Sequence, residues 1–85
     1  MREEETKIKE IIKALLEKIG VEGEIDARET TDSFQFTIKT NQAGLLIGEE
    51  GQNLIALNHI LKRITEKQIG KTELPFSLDV NDYQK

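Results

Sequence analysis

Apolar residues between Thr6 and Ile19 recur at Ile8, Ile11, Ile12, Leu15, Leu16 and Ile19, a rhythm of threes and fours that draws one stripe along a helix. Glu3, Glu4 and Glu5 precede the stripe near the positive helix end, Lys18 lies near the negative end, and Gly20 supplies a left-handed exit. The period then changes. Ile25 and Ala27 alternate with Glu24, Asp26 and Arg28, and Phe34, Phe36 and Ile38 alternate with Gln35, Thr37 and Lys39. Two strands with one apolar face each are expected, joined by the polar turn Thr30-Thr31-Asp32-Ser33.

A short apolar segment, Ala43 to Ile47, leads into Gly48-Glu49-Glu50-Gly51. The spacing then predicts a long helix from Gln52 to Gln68, with Leu54, Leu57, Leu61 and Ile64 inward, Ile60 at the margin and Gly70 as the stop. Phe76, Leu78 and Val80 alternate with Ser77 and Asp79 as a third strand, and Pro75 suits the start of an edge strand. The order is α-β-β-α-α-β. It predicts an α+β fold with three helices packed on one face of a three-stranded mixed sheet, the crossover between the second and third strands being right-handed if these are parallel. No repeat, linker or low-complexity stretch interrupts residues 1–85, which read as a single domain.

Composition narrows the chemistry. With no cysteine and one histidine, disulfides, thiol catalysis and cysteine zinc sites are excluded. Sixteen acids against twelve bases give a net charge of −4, so the basic footprint of an ordinary electrostatic DNA binder is missing. The first 38 residues hold six bases and ten acids and the remainder six of each, so an anionic partner should prefer the second half. No apolar run approaches the roughly 18 residues of a membrane span, and the charged start is no signal peptide, which points to a cytoplasmic domain off the membrane. Carboxylates are plentiful, but no triad or tuned acid pair accompanies them, and Glu49 and Glu50 alone make a poor cation site. Neither catalysis nor a cofactor is expected.

One segment carries a candidate chemistry. Gly48 and Gly51, three apart, allow backbone angles closed to other residues and leave room for a phosphate to approach. The helix that follows presents unpaired N–H groups at its positive end, where an anion is favoured.

Here the sequence resembles a known family. Gly44-Leu45-Leu46-Ile47-Gly48-Glu49-Glu50-Gly51 looks like the GXXG loop of a KH domain, and the element order resembles the type II KH topology of bacteria. The stretch Gly48-x-x-Gly51-x-x-Leu54-x-Ala56-Leu57-Asn58 and the ending Leu78-Asp79-Val80-Asn81-Asp82-Tyr83 are similar to the KH domain of the Jag family of bacterial RNA-binding proteins. The resemblance spans the chain and is strongest over 44–61 and 76–83.

It implies binding of single-stranded RNA, with single-stranded DNA as a second ligand, the loop clamping the backbone of about four nucleotides. It also implies pairing with a second KH protein or self-association. Jag proteins carry a further nucleic-acid-binding domain, which would begin where this sequence ends, so a module of a longer protein or a standalone relative is expected. By the same resemblance Gly48 and Gly51 meet a phosphate, and amides from Glu49 to Asn53 donate to it. Ile47 and Leu54 form groove wall or core, and Gln52 and Asn53 bond phosphate or base edges. Lys39 is the nearest base in sequence, while Lys62 and Arg63 lie two turns or more along the helix.

The chain departs from the family at the two variable loop positions, often basic and here both Glu. Each carboxylate beside a phosphate costs on the order of 1 kcal/mol at a few ångströms in water, yet suits the helix N-terminus by roughly 0.3–1 kcal/mol. A different reading is therefore a protein-interaction or dimerisation module with weak or lost RNA binding, using the outward face of Ile55, His59 and Lys62. His59, without a second histidine or any cysteine, is expected in solvent rather than on a metal. Phe34 and Phe36 are expected in the core, and Tyr83 against the sheet edge.

Overall fold

A computed structural model describes residues 3–81. Its elements run α1 (Glu3–Ile19), β1 (Glu24–Glu29), β2 (Phe34–Lys39), α2 (Ala43–Ile47), a 3₁₀ turn (Glu49–Gly51), α3 (Gln52–Ile69) and β3 (Phe76–Val80). This is the expected α-β-β-α-α-β order. The expectation for Tyr83 lies outside the described residues.

α1 begins at Glu3, three residues before the Thr6 start that the apolar spacing suggests. Glutamate is a good helix former, and acids in a first turn oppose the positive end of the helix dipole. Of these acids Glu5 is buried, and the Glu4 carboxylate accepts the Glu73 N–H at 3.1 Å, tying the start of α1 to the segment before β3. At the other end the Val21 N–H reaches back to the Leu16 carbonyl at 3.0 Å and the Gly20 N–H to Glu17 at 3.2 Å. That paired return satisfies the last carbonyls and swings Val21 into the core. Ile19, expected on the inward stripe, is instead 47% exposed, because Val21 takes the buried place beyond the helix end.

The sheet order is β1-β2-β3, with β2 central, antiparallel to β1 and parallel to β3. Glu29 pairs with Phe34 across the turn, where the Thr30 N–H donates to the Ser33 carbonyl at 2.8 Å. Phe34, Phe36, Ile38, Leu78 and Val80 are buried and share one cluster with Ile8, Ile12 and Leu16 of α1, Leu46 of α2, and Leu54, Leu57 and Leu61 of α3. The helices thus cover one face of the sheet. The other face carries Glu24, Asp26, Arg28, Gln35, Lys39 and Ser77, all exposed.

Two side chains close the β3 side of the fold. The Asn58 carboxamide of α3 accepts the Leu78 N–H at 2.9 Å and donates to the Leu78 carbonyl at 3.0 Å, satisfying both edge-facing groups of that residue. Asn81 bonds Thr40 in the same reciprocal way, its Oδ1 accepting the Thr40 N–H at 3.1 Å and its Nδ2 donating to the Thr40 carbonyl at 2.9 Å. The first pair fastens α3 to the middle of β3, and the second ties the ends of the parallel strands, from which the chain enters α2.

Candidate nucleic-acid interface

α2 is only five residues long, and its end forms the site. The Gly48 N–H donates to the Gly44 carbonyl at 3.0 Å, and Gly48 then turns away with φ 72° and ψ −175°. That region is open to glycine and closed to side-chain-bearing residues. A second constraint coincides with the first. A Cβ at position 48 would lie 2.6 Å from Cγ of Asn53.

Glu49 to Gly51 form a single tight turn. Glu50 adopts φ 54° and ψ 25°, a left-handed conformation costly for a glutamate, and Gly51 follows with φ 79° and ψ 11°. Gly51 is buried against the fold, while both glutamate side chains stand exposed. Gly51 thus packs into the fold, Gly48 is half-buried, and the two glutamates lie at the surface.

α3 starts directly from Gly51, with no side-chain cap and no acid in its first turn. The Gly51 N–H donates to the Gly48 carbonyl at 3.4 Å and the Gln52 N–H to the Glu49 carbonyl, so it is the helix end beyond them, without a side-chain cap, that favours an anion.

The structure brings together most of the loop residues singled out in sequence, but in different roles. Ile47 is half-buried and packs on the core, and Leu54 is fully buried, so both lie behind the loop. Gln52 is exposed at the first position of α3. Asn53 Nδ2 donates to the Leu45 carbonyl at 3.1 Å, so the carboxamide spans from α3 back to α2. Leu45, which the periodicity did not single out, is 64% exposed immediately before the loop. Its signal in sequence was a place in a run of five consecutive apolar or small residues, Ala43 to Ile47, in a helix too short to bury all of them.

Lys39 belongs to a different surface. Its ammonium meets the Asp26 carboxylate at 2.9 Å on the open face of the sheet, and the hollow it lines with Glu22, Thr40 and Asn81 includes no loop residue. The hydrogen bond from Lys39, followed by its charge, holds the Asp26 carboxyl below the usual carboxylate range.

Ile55 and His59 are exposed on the outward side of α3, with Ile55 at 53%. They line a shallow hollow with Gln52, Ala56, Ile60 and Arg63, and Lys62 lies to one side of it. Ile60, expected at the inward margin, is 45% exposed, and on the other side of the buried arc Thr65 is fully buried, its hydroxyl donating to the Leu61 carbonyl at 2.7 Å. Among the described residues no group of three or more His, Cys, Asp or Glu side chains is placed to hold a metal ion. No helix among them is long and apolar enough to cross a membrane.

Compared with known families, residues 7–81 match the family model described as KH domain, a span that runs from the first turns of α1 to the end of β3. A comparison with curated proteins finds no match.

Proposed function

The chain belongs to the KH domain family, whose members bind single-stranded nucleic acids, and on that premise we propose that it is a non-catalytic, single-stranded RNA-binding domain of type II, a module of a Jag-like protein. The observation that carries this reading is the Gly48-Glu49-Glu50-Gly51 turn feeding an uncapped α3. A phosphate seated there meets backbone amides and the positive helix end, and the exposed Leu45 offers an aliphatic wall for a base. The Gln52 backbone N–H is bonded to the Glu49 carbonyl, and its side chain, exposed at the head of α3, is the one this reading assigns to the ligand. Residues 1–85 act as one unit in this reading.

The glutamates weaken the clamp without abolishing it. Their side chains project outward, so repulsion acts across solvent, at about 1 kcal/mol per close contact. Replacing both by lysine removes two repulsions and adds two attractions. In fluorescence anisotropy with single-stranded RNA at low salt, Glu49→Lys combined with Glu50→Lys tightens binding roughly tenfold or more. Unchanged affinity would show that RNA does not pass this loop.

A second reading rests on the two exposed isoleucines of α3, Ile55 and Ile60. A protein partner or second copy would cover them, and Ile55→Asp would then abolish association while leaving RNA binding intact. Association that survives this change excludes the Ile55, His59 and Lys62 face.

A further inference from the structure

The loop holds three positive φ angles within four residues, at Gly48, Glu50 and Gly51. Backbone in such regions persists only where its surroundings over-determine it. One side chain spans the turn from end to end. Asn53, in the first turn of α3, donates from Nδ2 to the carbonyl of Leu45 in α2 at 3.1 Å, crossing the whole of Gly48–Gly51. The same carboxamide fills the space beside Gly48, where an added Cβ would meet Asn53 Cγ at 2.6 Å, Nδ2 at 2.8 Å and Cβ at 2.9 Å.

We propose that Asn53 is a positioning residue, which clips α2 to α3 and thereby holds the loop amides in the shape that receives a phosphate. This rests on the loop being the RNA site, and it assigns Asn53 to the loop rather than to the RNA. The chemistry is specific to a carboxamide. Its neutral N–H donor satisfies one of the carbonyls that a five-residue helix leaves open, and its carboxamide occupies the space a Cβ at Gly48 would need. A carboxylate of the same shape has no proton to donate to Leu45, although the helix dipole would favour it at that position.

The test uses two variants and two readouts. Amide NMR spectra of the free protein are compared for wild type, Asn53→Ala and Asn53→Asp, with thermal unfolding alongside. Anisotropy of a mixed-sequence single-stranded RNA of about eight nucleotides, twice the footprint of such a loop, is measured for wild type and Asn53→Ala. In both variants the Gly48 to Gly51 amide signals are expected to move or broaden without RNA, while signals from the sheet stay in place and the melting temperature changes little. Affinity of Asn53→Ala is expected to fall about five- to tenfold, equally for RNAs of different sequence.

Lost affinity with unmoved free-state loop signals overturns the proposal, and makes Asn53 a direct RNA contact. Moved loop signals with full affinity also overturn it, because the loop shape would not matter to binding. If the wild-type protein binds no RNA, the functional reading fails by that result, and the free-state spectra still decide whether Asn53 holds the loop.

Discussion

Glu50 occupies left-handed backbone, φ 54° and ψ 25°, at a position where glycine would rest without strain. The cost of that conformation, roughly 1–2 kcal/mol, is partly cancelled by the extra freedom glycine brings to the unfolded chain. Glu50→Gly is therefore expected to stabilise the protein by about 0.5–1 kcal/mol in urea unfolding. Gly48 behaves in the opposite sense. Gly48→Ala adds a methyl into Asn53 as well as an unfavourable φ, and is expected to destabilise by about 2–3 kcal/mol. Combining it with Asn53→Ala recovers part of that loss, since the steric share disappears while the backbone share remains; strictly additive losses would contradict the close approach. The importance of both glycines was legible in the sequence from their spacing. The left-handed glutamate and the clip were not, because single side-chain hydrogen bonds leave no periodic trace.

Among the elements, α1, α3 and the hairpin were legible because periods of 3.6 and 2 report directly on which face is buried. Ends were less so. Glu3 to Glu5 join α1 through propensity and dipole rather than through apolar contact, and Ile19 lost its place to a valine beyond the helix. Asn58 stood within the stretch that resembles the Jag KH domains, yet its role appears only once α3 and β3 lie side by side. There its carboxamide bonds both the N–H and the carbonyl of Leu78. Asn58→Leu leaves both without a partner and is expected to cost about 2–3 kcal/mol, read from urea unfolding of the variant. On the open face, the Asp26–Lys39 pair belongs to the hairpin. Lys39 holds the Asp26 carboxyl below its ordinary 3.8, so the unfolded chain takes up a proton first as the pH drops. The pair's contribution is present above pH 3.8 and is lost as pH falls through the lowered value. Asp26→Asn should accordingly lower the melting temperature at neutral pH, with the gap to wild type closing in acid. An equal gap at all pH values would assign the effect to packing instead.

For the whole molecule, charge and shape separate two surfaces. Four more acids than bases lie in the first 38 residues, while the second half, which holds the loop and α3, is neutral. An RNA strand bound mainly by amides and one helix end releases few counterions, so its affinity should fall only gently with salt, with a logarithmic slope of about −1 to −2. A steeper slope would require a basic track that the loop does not supply. Lys39 is the nearest base in sequence, and its ammonium is paired with Asp26 on the open face of the sheet. If the Gly48–Gly51 turn contacts RNA as proposed, an amide NMR titration with a single-stranded RNA of about eight nucleotides, at two salt concentrations, will register it at the loop. Saturable shifts centred on Gly48 to Asn53, weaker at the higher salt and absent with duplex RNA of the same sequence, are the predicted result. Silence of these amides at low salt, or shifts centred on Ile55 and His59 alone, would contradict it.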